Sequence, residues 1–271
     1  ILGSFLFLNS VAFSQEKAST NSSQLDVVLP NYQYEFVPDF TYEEVAARIQ
    51  KMDLEMDFEL NDRVFSFIQY FTVRNRDYMK MVLARKEQYF PMYEETMKDY
   101  GMPVEIQHLS IIESGLDPKI KSRVGAMGLW QFMPATAKEK GMEVNDIVDE
   151  RYHLEKATEA ACKYLLSAKE KFGSWTLAAA SYNGGMTGVG KKIEEQKVSN
   201  YYDLALTEET SRYVFRILAL KEIMRNPAKY GFSIFSSDLY SQIPSKKIEI
   251  DSSINDLADF AKTQGINYKI L

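Results

Sequence analysis

Residues 154–173, LEKATEAACKYLLSAKEKFG, decide the fold class of this chain. Apolar side chains recur in this stretch every three or four residues, which is typical of a helix that buries one face. The apolar stripe reaches Phe172 and stops at Gly173, and glycine commonly follows the last turn of a helix. Because such a stripe has to be covered by neighbouring elements, we predict a globule built from packed helices.

The flanking sequence repeats this helical pattern. Thr41 and Glu44 have the spacing of a capping box and predict a first helix. Further helices are predicted over residues 75–98 and 104–114, and Thr207 is a candidate cap for a later one. Strand patterns are nearly absent throughout this part of the chain. The predicted fold class is therefore all-α, with a short α+β piece expected only at the C-terminus.

Composition narrows the class of protein further. The chain has 271 residues, of which 45% are hydrophobic, so it can form one or two domains with a sizeable core. A net charge of −6 with scattered basic residues predicts no nucleic-acid partner. The single cysteine, Cys162, cannot form an internal disulfide, and His108 and His153 do not make a zinc-binding pattern. We predict neither a metal nor another cofactor.

Residues 1–14 are almost wholly apolar and fall short of the ~20 residues that a membrane-spanning helix needs. They end in Ala12, Phe13 and Ser14 and precede a polar linker, residues 15–30, an order typical of a secretory signal peptide. No basic residues precede the apolar core, so this signal peptide is predicted to be N-terminally incomplete. We expect export to the periplasm or cell envelope. An uncleaved membrane anchor and a buried N-terminal element are the alternatives.

Glu113 is the candidate catalytic residue. It follows Ile111 and Ile112 at the predicted end of an apolar helix and precedes Ser114 and Gly115. Apolar surroundings make a carboxyl harder to ionise, so its pKa rises toward the range in which it can protonate a leaving oxygen. Taken alone, the pattern is better explained by a glutamate exposed at a helix end.

Three further segments carry residues suited to a binding groove. Residues 125–134, GAMGLWQFMP, combine paired glycines with two aromatic side chains and a glutamine that can hydrogen-bond a hydroxyl or an amide. Residues 180–185, ASYNGG, place a tyrosine and an asparagine before a turn. Glu209 and Tyr213 are four residues apart and share a helix face. Packing in a core loop explains the first of these segments equally well.

Residues 185–192, GMTGVGKK, nearly match a phosphate-binding loop. The last position of that pattern requires Ser or Thr, and Lys192 stands there. A phosphate-binding loop also follows a buried strand, whereas residues 175–181 have a helical pattern. We therefore predict no nucleotide ligand.

Taken together, the segments resemble the catalytic domain of lytic transglycosylases in the soluble lytic transglycosylase and goose-type lysozyme superfamily. The membrane-bound transglycosylase D type is the most similar. The matching motifs are GLWQFMP at 128–134, DER at 149–151, SYNGG at 181–185 and ETSRYV at 209–214. The resemblance covers about residues 96–232 and implies a lysozyme-like helical domain with Glu113 as the catalytic residue. It implies a substrate groove lined by Ser114, Met127, Gln131, Tyr182, Asn183, Glu209 and Tyr213.

The activity that this resemblance implies is that of a carbon–oxygen lyase acting on peptidoglycan glycan strands. Glu113 would cleave the β-1,4 bond between N-acetylmuramic acid and N-acetylglucosamine and leave a 1,6-anhydromuramic acid end. Among the Glu113 segment and the three groove segments, only Glu209 stands as a second acid, which fits a mechanism with one acid/base carboxyl. The alternatives are a muramidase that hydrolyses the same bond and a non-catalytic peptidoglycan-binding protein.

The C-terminal residues 247–271 resemble the first part of a LysM module, the strand and helix type that binds glycans containing N-acetylglucosamine. Residues 247–250 alternate as in a short strand, and a helix is predicted from Ile254 to Gly265. An ordinary docking segment is the alternative. The predicted division of the chain is signal peptide 1–14, linker 15–30, N-terminal helical region 31–95, catalytic domain 96–232, linker 233–246 and LysM-like segment 247–271.

Overall fold

The computed structural model describes residues 36–242 and 248–269. Within these ranges the protein is mostly helical and has no strand, only three isolated β-bridges in loops. The α-helices of the described residues are α1 Tyr42–Ile49, α2 Asp62–Gln69, α3 Arg76–Asp99, α4 His108–Ser114, α5 Pro134–Glu139, α6 Leu154–Phe172, α7 Trp175–Gly184, α8 Met186–Gln196, α9 Glu208–Arg225 and α10 Leu257–Thr263. The prediction of a helical globule is confirmed.

The helix ends follow signals in the local sequence. The Thr41 hydroxyl accepts from the backbone N–H of Glu44 at 3.2 Å, and the Glu44 carboxylate accepts from the backbone N–H of Thr41 at 2.9 Å. This confirms the predicted capping box at the start of α1. Thr207 caps α9, and Gly173 ends α6 in the left-handed conformation, both as predicted.

Helix α7 lies at the centre of the compact unit that the described residues up to Ser241 form. Its residues are buried from Thr176 to Asn183, and it packs against α6, α8 and α9. The three alanines of residues 178–180 have short side chains, so neighbouring helices can approach closely. Helix α9 also packs against α2 and α4. The ends of α4 and α7 are thereby brought to the first half of α9, where Glu209 and Tyr213 lie.

Helices α1 to α3 belong to the same compact unit as the predicted catalytic region, and this unit comprises the described residues up to Ser241. The Arg48 guanidinium of α1 pairs with the fully buried Glu222 carboxylate of α9 at 2.5 Å. Arg76 at the start of α3 donates to the backbone carbonyls of Tyr230 at 2.8 Å and Gly231 at 2.5 Å. Because buried carboxylates and carbonyls need such donors, the N-terminal helices complete the polar contacts of α9 and the turn after it.

The helix predicted over residues 104–114 is interrupted. Val104–Gln107 form a 3₁₀ turn, and α4 begins only at His108. The Nδ1 atom of His108 lies 2.8 Å from the carbonyl oxygen of Glu105. The Glu105 carboxylate is fully buried and pairs with Lys221 of α9. These two contacts hold Glu105 inward, and the tighter winding of the turn accommodates them.

The residues from Gln242 onward form a second, smaller unit. It contains α10, whose first turn is capped by the Asp256 carboxylate. The helix predicted from Ile254 therefore begins later, because the side-chain cap fixes its start. Residue 247 lies outside the described residues, and residues 248–250 form no strand. The predicted α+β character of this segment is not confirmed.

The predicted signal peptide and polar linker, residues 1–30, lie outside the described residues. In the part of the chain that the structure does describe, no helix combines the length and the apolar character needed to cross a bilayer. Cleavage after Ser14 and the alternative of an anchor therefore stay predictions.

Candidate active site

Glu113 lies at the C-terminal end of α4, where the chain turns sharply. Gly115 and Leu116 both adopt the left-handed conformation, with φ values of 61° and 58°. The Tyr78 hydroxyl of α3 donates to the carbonyl of Ile111 at 3.0 Å. The Tyr78 ring also fills the space beside Gly115, where a Cβ atom would meet it at 2.9 Å. The side chain of Tyr78 thus fixes the end of α4 and with it the position of Glu113.

The Glu113 carboxyl meets one buried tyrosine. The Tyr213 hydroxyl of α9 donates to Oε1 of Glu113 at 2.5 Å. Burial raises the pKa of Glu113 to about 7; the Tyr213 hydrogen bond and the charge of Arg216 oppose this rise, and Glu209 adds to it. Burial also raises the pKa of Tyr213 well above its ordinary value, so its hydroxyl stays a donor. Near neutral pH both protonation states of Glu113 are populated, which suits a group that gives and later takes a proton.

The loop that precedes α5 is folded around the guanidinium of Arg151. This group donates to the carbonyls of Gly125 at 2.7 Å and Phe132 at 3.0 Å, and to the sulfur of Met127 at 3.0 Å. Asp149 holds the guanidinium from the other side at 2.6 Å. Because one planar cation reaches three points of the loop, it fixes the position of half-buried Met127, a predicted groove residue.

Gln131, another predicted groove residue, is held inside the same loop. Its φ of 48° lies in the left-handed region, which is uncommon for a residue with a side chain. Its Nε2 atom donates to the carbonyls of Gly128 at 2.9 Å and Ile120 at 3.2 Å. The amide nitrogen therefore shapes the loop from within, and its contact with a substrate stays a prediction.

Two further predicted groove residues use their hydroxyls inside the protein. Tyr182 of α7 is fully buried and donates to the backbone carbonyl of Trp130 at 2.7 Å. Its ring packs edge-on against Trp130 and Phe132. Ser114 donates to the carbonyl of Ser110 one turn back, at 2.7 Å. Both hydroxyls are thus engaged by the backbone, and a direct role in binding stays a prediction.

Asn183 and Glu209 lie where the end of α7 meets the start of α9. The Asn183 Oδ1 atom accepts from the Thr210 hydroxyl at 2.8 Å. The Glu209 carboxylate pairs with Arg216 at 2.9 Å and more loosely with Arg212 at 3.4 Å. The Glu209 side chain remains 29% exposed, so one edge of it faces solvent. The first two turns of α9 therefore carry two of the predicted site residues and join a third from α7.

Three residues that shape this site received no role from sequence reasoning. Arg151 belongs to one of the motifs, but its motif does not indicate which groups it would contact. Tyr78 lies in the predicted N-terminal helical region, where nothing in the local pattern distinguishes it from other aromatic residues. Arg216 stands three residues after Tyr213 on the same face of α9, and that spacing is a signal that could have indicated it.

Comparison with known families decides what this arrangement is. Residues 91–204 match the family described as transglycosylase SLT domain. Over these residues the chain is similar to a transglycosylase SLT domain. Residues 246–271 match a second family, the soluble lytic transglycosylase C-terminal LysM-like domain. Both predicted resemblances are confirmed, although the first match ends before α9 and so leaves out Glu209 and Tyr213.

The similar proteins carry names that agree with this domain. The membrane-bound lytic murein transglycosylase D of Escherichia coli strain K12 is 32% identical over 191 residues, which are 69% of this chain and 42% of that protein. The peptidoglycan transglycosylase gp16 of Escherichia phage T7 is 35% identical over 109 residues, which are 39% of this chain and 8% of that protein. The chain therefore spans less than half the length of these relatives.

Gly128→Ala is expected to destabilise the protein by about 2–4 kcal/mol, because it combines backbone strain with a clash. Gly128 has a φ of 76°, and an added Cβ atom would lie 2.2 Å from the carbonyl oxygen of Arg151. Urea unfolding measures the change. Gly125→Ala is the matched control, because Gly125 has a φ of 90° and open space around its Cβ position. Equal losses for the two variants would show that strain alone, without the clash, accounts for the effect.

Proposed function

We propose that the protein is a peptidoglycan lytic transglycosylase that cleaves the β-1,4 bond between N-acetylmuramic acid and N-acetylglucosamine. The observation that carries this proposal is the Glu113 carboxyl, which has a pKa of about 7 and a 2.5 Å hydrogen bond from Tyr213 and lies within the residues that match the transglycosylase SLT domain. The names of the relatives from Escherichia coli and phage T7 support the same substrate.

In the first step, protonated Glu113 gives its proton to the glycosidic oxygen. The bond from the anomeric carbon of the muramic residue to that oxygen breaks, and N-acetylglucosamine leaves as an alcohol. Positive charge develops at the anomeric carbon, where the carbonyl oxygen of the substrate's own N-acetyl group stabilises it. Tyr213 holds the carboxyl through Oε1, which leaves the other oxygen to carry the proton toward the substrate.

In the second step, ionised Glu113 takes the proton of the muramic C6 hydroxyl. The C6 oxygen then bonds to the anomeric carbon and closes a 1,6-anhydro ring, and Glu113 ends protonated, as it began. No water is consumed. An intramolecular hydroxyl has a large effective concentration, so it competes well with solvent once the groove is filled.

The groove residues divide by where their polar atoms lie. We propose that Met127, Asn183 and Glu209 contact the sugar chain. Met127 and Glu209 are partly exposed. Asn183 is hydrogen-bonded to Thr210, the residue that follows Glu209. Gln131, Tyr182 and Ser114 would act mainly by holding the loop and the helix ends in place, since their side chains already bind backbone carbonyls.

A muramidase is the second candidate function, and the partly exposed carboxylate of Glu209 is the observation that favours it. A hydrolase needs a group that activates water on the face of the sugar opposite the acid. Oε1 of Glu209 already accepts from Arg216 at 2.9 Å, so this oxygen is engaged within the protein and is not free to bind an attacking water. We therefore rank hydrolysis below the transglycosylase reaction.

We propose further that the protein works in the cell envelope. The apolar residues 1–14 and the name of the membrane-bound relative support export, with a membrane anchor as the alternative to a cleaved signal peptide. The LysM-like match of residues 246–271 supports an additional contact with glycan strands.

Glu113→Gln should abolish release of soluble muropeptides, with a loss of at least about 100-fold, because an amide neither gives nor takes the proton. Turbidity of purified cell walls and chromatography of the soluble fraction measure it. Glu95→Gln, at an exposed position of α3, is the matched control and should leave turnover unchanged. Activity of Glu113→Gln within tenfold of the parent would assign the acid to another residue.

The same variant has an expected signature in stability that does not depend on turnover. Because the folded-state pKa of Glu113 is raised to about 7, its contribution to stability is present below the ordinary carboxyl pKa and is lost as pH rises through 7. Glutamine has no such loss. Relative to the parent, Glu113→Gln should therefore be more stable at pH 8 than at pH 4.

Turnover of the parent should fall about tenfold per pH unit above pH 7, because the first step needs the protonated form of Glu113. The rate at low substrate concentration, measured from pH 5 to pH 9, provides the test. A rate that stays constant up to pH 8.5 would contradict Glu113 as an acid with the pKa given by its burial.

The products should end in 1,6-anhydro-N-acetylmuramic acid. Mass spectrometry distinguishes them directly, since the anhydro product is lighter than the hydrolysed one by one water and is unchanged by borohydride reduction. Heavier products that borohydride reduces would rule out the transglycosylase reaction and support the muramidase.

A further inference from the structure

Arg216 of α9 is a buried cation beside the candidate active site, and nothing in the proposed mechanism uses it. It is only 5% exposed. Its Nη1 atom pairs with the Glu209 carboxylate at 2.9 Å, and its buried Nη2 atom has no hydrogen-bond partner among the described residues. The Phe67 ring of α2 lies below the guanidinium, with 5.4 Å between the Cζ atom and the ring centroid.

This burial is costly for the fold. A buried guanidinium with an unsatisfied nitrogen loses hydration that one ion pair and one aromatic ring replace only in part. An apolar side chain of similar volume would often fill such a place at least as stably. The position of Arg216 therefore calls for a reason other than packing.

The place of Arg216 on α9 supplies that reason. It stands three residues after Tyr213, on the same helix face, and Tyr213 is the residue that binds the Glu113 carboxyl. The positive charge of Arg216 favours the ionised form of Glu113, whereas the negative charge of Glu209 favours the protonated form. The two members of one ion pair thus act on the same carboxyl in opposite directions.

No other full charge within the described residues acts on this carboxyl to the same extent. The groups that face Glu113 are Tyr213, Arg216 and Glu209 from α9 and Tyr182 from α7. The groups that face Arg216 are Glu209 and Tyr213 on its own helix, Tyr78 from α3 and Tyr201 from the 3₁₀ turn before α9. The tyrosines are neutral, and Arg212 pairs with Glu209 at 3.4 Å but is not among the charges that act on the Glu113 carboxyl. The balance of charge at this carboxyl therefore rests on Arg216 and Glu209.

We propose that the Arg216–Glu209 pair balances the charge around Glu113, and that Arg216 is a positioning residue which keeps this carboxyl able both to give and to take a proton. The proposal rests on the proposed function. In this proposal Arg216 contacts neither the reacting atoms nor the substrate. It acts by holding Glu209 and by placing a cation behind Tyr213.

The test compares Arg216→Met, Glu209→Gln and the double variant with the parent. Two quantities are measured: the pH midpoint of turnover, and the titration midpoint of the Glu113 carboxyl followed by carbon NMR. We expect Arg216→Met to raise both midpoints and Glu209→Gln to lower both, each by about one pH unit. The double variant should return close to the parent, because the two effects cancel.

A matched control pair exists at the other end of α9. Arg48 and Glu222 form a buried ion pair of the same type, and Glu222 is 13 residues, or about 20 Å, further along the helix than Glu209. Arg48→Met and Glu222→Gln should lower stability and leave both midpoints where they are. Equal shifts in this control, or shifts of the same sign in the two test variants, would overturn the proposal.

One further variant separates the charge of Arg216 from its shape. Arg216→Lys retains the charge and should keep both midpoints near those of the parent. If Arg216→Met does not fold, Glu209→Gln decides alone, because its amide keeps the shape of the carboxylate. A Glu209→Gln variant whose two midpoints do not fall would overturn the proposal.

Failure of the proposed function would be recognised separately. The NMR titration needs no turnover, so an inactive parent with opposite shifts in the two variants would overturn the transglycosylase assignment and leave the role of the ion pair standing. An active parent without those shifts would overturn only the role of the ion pair.

Discussion

The hydrogen bond between the Tyr213 hydroxyl and the Glu113 carboxyl is the interaction on which the site depends. The two residues are separated by 100 positions in the chain and lie 2.5 Å apart. Each group would be costly to bury alone, because neither would keep its contacts with water. Bringing them together requires that the end of α4 keeps a fixed position relative to the second turn of α9. The Tyr78 contacts with α4 and the packing of α2, α4 and α7 on α9 serve that requirement.

The surrounding polar side chains make the site stiff. Tyr182 ties α7 to the carbonyl of Trp130, Arg151 ties the glycine-rich loop to the segment before α6, and Asn183 ties α7 to α9. A groove whose walls are joined by internal hydrogen bonds loses little entropy when a sugar chain binds. It also holds its acid in one geometry. Residues that a family pattern would assign to substrate contact thus have a structural task, which is to hold the surrounding segments together.

Helix periodicity and caps were sufficient to predict most of the fold, because buried stripes and side-chain caps are local features, as α6 and the Thr41 cap show. The 3₁₀ turn before α4 was missed, since it depends on Glu105 meeting Lys221 from a distant helix. The motifs predicted a site around Glu113, but they could not show that the Ser114 and Tyr182 hydroxyls are engaged by the backbone. Nor could they show that Arg48 and Arg76 complete α9 and its following turn, because long-range partners leave no periodic signal.

The proposed reaction returns the proton of Glu113 at its end, and burial alone would not suit a carboxyl to that task. A carboxyl surrounded only by apolar groups donates readily but resists the ionised state that the second step needs, because a bare anion in a dry site is strongly disfavoured. The donor hydroxyl of Tyr213 and the charge of Arg216 lower the pKa of Glu113 and so favour the ionised state. The charge of Glu209 raises this pKa and limits their effect. In the proposed cycle, the first half would thus rely on burial and the second half on the donors of α9. A site that had only one of these features would stall in one of the two steps.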